Sequence, residues 1–273
     1  KEEGHQERLT VTSNIDGARL ERRGSIALIT LDRPERMNSL SRALVRRIGE
    51  IGHELAQQDD LGLVILTGAG AKAFCAGADL KERAVMNEQE VRALLLEYES
   101  ELAWLESIEA PTLAAINGVA LGGGLELALL CDLRVASAEA VLGLPETSLG
   151  VIPGAGGTQR LPRLLGEARA KELILRGTRL SAAEALTLGL VNQVMKASDD
   201  FLQEVIGWAE PILSAAPLAI RAALKATRGA ATREMRQGLA LERAAYETCL
   251  KSEDRLEALA AFAEKRKPSF KGR

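Results

Sequence analysis

The chain has 273 residues, 47% of them hydrophobic and 27% charged, with a net charge of −3. That length suits one substantial core. The charge offers no general attraction to nucleic acid or anionic membrane, and no stretch approaches the roughly 20 apolar residues of a bilayer span.

Residues 1–17 are polar and read as a loose lead-in with no visible signal peptide; with no Met at position 1, a removed targeting segment stays open. Ser25–Leu31 is a short β-rich run ended by Asp32-Arg33-Pro34. Ser41 reads as the N-cap of an amphipathic helix to about Gln58. Leu61–Thr67 is a second apolar strand, and apolar spacing predicts a helix over Glu88–Ile108. Thr112–Ile116 is a third strand, a triple glycine at 122–124 opens a helix to about Cys131, and Leu133–Ala136 is strand-like. This alternation implies an α/β core. From Thr158 onward the pattern is almost entirely helical, with breaks at Pro211 and Pro217. The expected division is therefore a lead-in over 1–17, an α/β body over 18–200 and a helical region over 201–273.

Only two histidines are present, His5 and His53, which leaves almost nothing from which to build a His-based zinc site or a Ser-His-Asp triad. The three cysteines, Cys75, Cys131 and Cys249, read as reduced, mostly buried thiols. Four local features stand out instead: Phe74–Asp79, Ala120–Glu126, Leu144–Thr147 and the glycine-rich Gly150–Thr158. Glycines ahead of a helix let bare backbone N–H groups approach a phosphate or a developing oxyanion. The order at 122–124 is not that of a dinucleotide fold, and no P-loop lysine follows, so an oxyanion hole is the better match. Glu126 sits among Leu125, Leu127 and Leu129, and Glu146 follows Val141–Leu144; burial raises such carboxyls toward neutral pKa. Taken singly, each feature also fits an ordinary turn or a dipole-stabilising surface Glu. Physics alone stops at an oxyanion-and-carboxylate enzyme.

The runs FCAGADLKE (74–82), INGVALGGGLELALLCDLRVAS (116–137), LPETSLGVIPGAGGTQRLPR (144–163) and AFAEKRKP (261–268) together resemble the crotonase (enoyl-CoA hydratase/isomerase) superfamily, in family order and from about Leu20 to the end. The resemblance implies an α/β crotonase fold, a spiral of ββα repeats with a helical C-terminal region that forms homotrimers, commonly stacked into hexamers. It implies an acyl-CoA thioester substrate and no separate cofactor, coenzyme A being part of the substrate. Ala78 and Gly123 would supply the amides that hold the thioester oxygen. Glu126 would chiefly activate water, Glu146 would deliver the proton, and the Gly154 amide would help position the water. Ala76, Asp79 and Leu80 fall on the stretch around the adenine end of CoA, and Phe262 and Lys265 on C-terminal residues that reach it. The basic tail beyond Lys265 fits either CoA phosphates or a solvated end.

Retention of both glutamates favours a hydratase over an isomerase, with another crotonase reaction, an isomerase or an acyl-CoA decarboxylase, as the alternative. FCAGADLKER and LGGGLELAL look most like methylglutaconyl-CoA hydratases of leucine breakdown. Arg83 is the candidate for a free carboxylate on the acyl chain, against the alternative of a solvated Arg in Lys81-Glu82-Arg83. Some such hydratases bind RNA through a lysine-rich helix. Here the 41–58 helix carries Arg42, Arg46 and Arg47 beside Glu50 and Glu54, with no lysine, so nucleic acid is not expected. A non-catalytic subunit is disfavoured by intact Glu126, Glu146 and Gly123. The expected compartment is the cytoplasm of a bacterium or the mitochondrial matrix of a eukaryote.

Overall fold

A computed structural model describes residues 10–11 and 14–273. Its contacts form two units. One runs to Val205 and leaves out 109–111; the other comprises Glu109–Pro111 and Ile206–Arg273. Among the described residues no helix is long and apolar enough to cross a membrane.

In the first unit, in chain order, the elements are β1 (Thr10–Val11), β2 (Ala18–Arg23), β3 (Ile26–Leu31), α1 (Arg42–Leu55), β4 (Leu63–Gly68) and β5 (Ala73–Cys75). There follow α2 (Leu80–Arg83), α3 (Glu88–Leu102), α4 (Trp104–Ser107), β6 (Thr112–Ile116), β7 (Val119–Leu121), α5 (Gly123–Leu130), β8 (Leu133–Ser137) and β9 (Val141–Gly143). Then come α6 (Gly157–Leu165), α7 (Glu167–Arg176), β10 (Arg179–Ser181), α8 (Ala182–Thr187), β11 (Gln193–Met195) and the start of α9 (Phe201–Leu213). A seven-stranded sheet has the order β1-β2-β3-β4-β6-β8-β11, and a four-stranded sheet the order β10-β9-β7-β5. From β3 to β11 the larger sheet is parallel, as is β5-β7-β9 in the smaller.

The repeat is plain in this order. β4-β5, β6-β7 and β8-β9 each place a first strand in the large sheet and a second in the small one, and helices follow. This is the expected α/β spiral of ββα units. The large-sheet strands β4 and β6 are buried at every position, as continuous apolar runs are in a covered parallel sheet. Every residue of α5 is buried too, as befits a helix apolar on all sides. Its one charged side chain, Glu126, is carried inward with it.

Several expectations are corrected. Thr10–Val11 pairs with β2, so part of the 1–17 lead-in is strand; the remainder, residues 1–9 and 12–13 with His5, lies outside the described residues. β2 itself went unread because four of its six residues, Arg19, Glu21, Arg22 and Arg23, are charged. The three-residue strands β5, β7, β9, β10 and β11 are too short to show a period. The helix expected over 88–108 opens with an Asn87–Glu90 capping box but divides at Ala103.

The second unit contains α10 (Pro217–Thr227), α11 (Met235–Leu250) and α12 (Glu253–Glu264). Pro217 takes a first-turn position, where its missing N–H costs nothing, whereas Pro211 lies inside α9 rather than breaking it. The basic tail folds onto α12: Arg266 pairs with Glu257, and Asp254 accepts from the Lys271 and Gly272 amides.

Candidate active site

Three groups of the site are delivered by the small sheet. Ala78 lies three residues after β5, Gly123 two after β7 and Glu146 three after β9. Gly77 has φ +100, and a Cβ there would stand 2.8 Å from the Leu121 carbonyl and 3.3 Å from the Gly123 nitrogen. Only glycine lets the Ala78 loop cross so closely over the mouth of α5. The Ala78 and Gly123 amides therefore lie side by side. Neither donates to another protein group among the described residues. Gly123 opens α5, where N–H groups lack intrahelical acceptors and favour negative charge.

Glu126 is 3% exposed. Its Oε1 accepts from the Ala155 amide at 2.8 Å and the Gly157 amide at 2.7 Å. Burial raises its pKa, while the amides of Gly157, Ala155 and Gly154 pull it back. The carboxylate is thus held by one oxygen, and the loop that holds it is itself tied. Arg160 grips Glu106 with two nitrogens and donates to the Ala155 carbonyl. Gly154, expected near the water, belongs to this amide cluster.

Glu146 opens a short 3-10 turn over Glu146–Leu149 and rests against Gly122, where an added Cβ would stand 3.0 Å from its Oε1. Its Oε2 is buried without a hydrogen-bond partner among the described residues. Burial above all, against the pull of its own backbone amide and with the charge of Glu126 adding a smaller push, raises its pKa to about 7. The charge of Glu126 is felt at Glu146, so one carboxyl is anchored by amides and the other is left to keep a proton. A carboxyl whose folded pKa is raised favours the protonated folded state. That contribution is full below the ordinary glutamate value and is lost as pH rises to about 7. Glu146→Gln is accordingly expected to raise Tm at pH 8 and to change it little at pH 4, read by thermal melts at both. An equal shift at the two pH values would contradict the raised pKa.

The remaining candidates divide. Leu80 is 60% exposed and Ala76 donates to the Met37 carbonyl. Asp79 is buried, its Oδ2 paired with Arg33 and its Oδ1 accepting from the first-turn amides of α2. Arg83 is half-buried with no acidic partner among the described residues, and its charge is felt at the buried Tyr98 hydroxyl, as is that of Glu126. Phe262, 86% exposed, and Lys265, left-handed at the end of α12, belong to the second unit. Arg42 and Arg46 both engage Glu97, and Arg47 engages Glu50 and Glu54. Cys75 and Cys131 are buried thiols pushed up to about 12 by desolvation, as inert packing groups should be. Arg33, Leu40, Tyr98 and Arg160 were not singled out from the sequence. They touch the site only through folding.

Residues 21–273 match the family model described as enoyl-CoA hydratase/isomerase. The chain is 48% identical over 256 residues to the enoyl-CoA isomerase/hydratase fer4 of Mycosarcoma maydis, covering 90% of this chain and 92% of that one. It is 40% identical over 255 residues to the short-chain-enoyl-CoA hydratase of Clostridium acetobutylicum, covering 93% and 97%. Among solved structures, an enoyl-CoA hydratase from Bacillus anthracis superposes with a TM-score of 0.89 at 46% identity, over 97% of this chain and 99% of that one.

Proposed function

The chain belongs to the enoyl-CoA hydratase/isomerase family, and from that premise we propose that it adds water across the C2=C3 double bond of an enoyl-CoA thioester, with Glu126 and Glu146 as its acid–base pair. The observation that carries this reading is the meeting of two differently held carboxyls with the paired amides of Ala78 and Gly123.

The thioester oxygen accepts from both amides, which stabilise the negative charge that gathers there as C3 is attacked. Glu126, ionised and fixed through Oε1, takes a proton from water with its other oxygen while the water oxygen bonds to C3. Glu146 keeps its proton to about pH 7 and delivers it to C2. One proton enters the pair and one leaves it, so the pair's total protonation is unchanged. Coenzyme A is consumed and released as part of the substrate, and the chemistry calls for no separate cofactor. The test is loss of the conjugated thioester absorbance of crotonyl-CoA on addition of the protein. Migration of the double bond without hydration would move the assignment to the isomerase side of the family.

Within that reaction the preferred substrate is 3-methylglutaconyl-CoA, an intermediate of leucine breakdown, and the residue that supports it is Arg83. A half-buried guanidinium with no carboxylate of its own is an incomplete ion pair, and a free carboxylate at the far end of the acyl chain completes it. Arg83→Ala is expected to lower kcat/KM for methylglutaconyl-CoA by about 100-fold and to leave crotonyl-CoA within about threefold. Equal loss on both substrates would falsify the carboxylate role. On the C-terminal unit Leu256, Leu259 and Phe262 are 57% exposed or more. An apolar face of this kind fits an oligomer, and a homotrimer or a hexamer of two trimers is the proposed state. Sedimentation velocity reads it directly.

A further inference from the structure

We propose that Arg33 is a positioning residue for the Ala78 amide, aiming it at the thioester oxygen through a one-residue bridge at Leu40; this rests on the hydratase reading above. The peptide between Gly77 and Ala78 is planar and trans, so its C=O and N–H point in opposite directions. Whatever grips the Gly77 oxygen therefore aims the Ala78 hydrogen. Leu40 does so: its N–H donates to the Gly77 carbonyl at 2.8 Å, and its own carbonyl accepts from the Asp79 amide at 3.0 Å. This pairing of Leu40 with Ala78 is an isolated bridge with no ladder on either side. The Ala76 N–H, donating to the Met37 carbonyl, joins the two segments on the near side only and leaves the Leu40–Asp79 end free to twist.

Arg33 closes that freedom. One nitrogen of its guanidinium donates to the Ser39 carbonyl at 2.6 Å and another to Asp79 Oδ2 at 2.9 Å. These are the residue before Leu40 and the residue after Ala78, so the planar fork staples the two sides of the bridge together. Arg33 is anchored in turn by its backbone. Its N–H donates to Asn38 Oδ1, and its carbonyl accepts from the Asn38 and Arg36 amides. The Asp79 carboxylate is held from its other oxygen by the first turn of α2. Tyr98 adds a third tie, its hydroxyl donating to the Leu40 carbonyl at 3.1 Å. Arg33 bonds to neither Ala78 nor Gly123, and its effect passes entirely through the bridge.

A displaced oxyanion donor costs rate before it costs binding, because the donor matters most when charge has developed on the oxygen. Arg33→Met in the full chain is expected to lower kcat for crotonyl-CoA by about 30-fold, with KM within about threefold. The readout that a merely structural role would not move is the Raman stretch of the bound enoyl thioester carbonyl, whose shift to lower frequency reports polarisation by the two amides. That shift is expected to shrink in Arg33→Met and to return in part in Arg33→Lys, which can meet Asp79 but not Ser39 at the same time. Asp79→Asn is expected to act like Arg33→Met, and the double variant to be no worse than either. If Arg33→Met does not fold, Asp79→Asn carries the same comparison.

A full carbonyl shift and full kcat in Arg33→Met, or in Asp79→Asn should the former not fold, overturns the proposal. A wild type that polarises the thioester without hydrating it overturns the hydratase assignment alone, since dependence of the shift on Arg33 still decides the positioning role. A wild type with no carbonyl shift overturns both.

Discussion

Glu126→Gln and Glu146→Gln are each expected to lower kcat for crotonyl-CoA hydration by about 1,000-fold, within the span that a positioned acid or base contributes, while the protein stays folded. The amide is a sharp probe at both positions. In Glu126→Gln the side-chain oxygen still accepts from the Ala155 and Gly157 amides, so the loop keeps its anchor and only the capacity to take a proton from water is gone. In Glu146→Gln the group is permanently neutral, which suits a buried oxygen with no donor facing it but leaves no proton to give C2. The wild type should also lose activity as pH rises through about 7, where Glu146 ionises, and as pH falls low enough to protonate Glu126. Retention of more than about a tenth of kcat by either variant is far above what acid–base loss allows and would remove that residue from the mechanism.

Two neighbouring glycines should behave in opposite ways. A Cβ at Gly124 would stand 2.0 Å from the Cys75 carbonyl oxygen, a backbone atom in β5 that cannot step aside. Gly124→Ala is expected to destabilise the fold by about 3 kcal/mol or more, the cost of forcing helix and strand apart, seen as a large fall in Tm or in soluble yield. At Gly123 the added Cβ meets a Leu40 methyl at 3.3 Å and the Ala78 nitrogen at 3.6 Å. The methyl can give way, and alanine is the better helix former, so Tm should move little. The new carbon nevertheless sits beside the place where the thioester oxygen must lie, about 3 Å from both amides. Gly123→Ala is expected to lose about 100-fold in kcat/KM or more, the loss that follows removal of one such donor, with the fold intact. A stable and fully active Gly123→Ala would exclude this amide pair as the oxyanion site.

What could be read beforehand follows from where the information lies along the chain. The strands Ile26–Leu31, Leu63–Gly68 and Thr112–Ile116 and the helix after Ser41 carry their own apolar pattern, so local reasoning reached them. Glu126 stood out because an acid in GGLELALL contradicts its surroundings. The small sheet did not, since three residues cannot display a period of two against noise. Asp79 also carries a local signal: followed three residues on by Glu82 it is a helix-start pattern, and it caps α2. Arg33 and Tyr98 lie 46 and 58 residues from their partners Asp79 and Leu40. No spacing rule links positions so far apart, and only the fold shows them together.

Each turn of the spiral leaves a candidate site group at the same end of the small sheet: Ala78 after β5, Gly123 after β7, Glu146 after β9, with Glu126 following Gly123 in α5. On the proposed mechanism the labour of the reaction is divided among repeats, with charge stabilisation on the first two turns, water activation by Glu126 on the second and proton delivery on the third. Such an arrangement behaves as a set of exchangeable parts. Altering the third turn changes which proton is moved without disturbing the seat of the carbonyl, and a single scaffold can be turned to several reactions of thioesters by editing one repeat at a time.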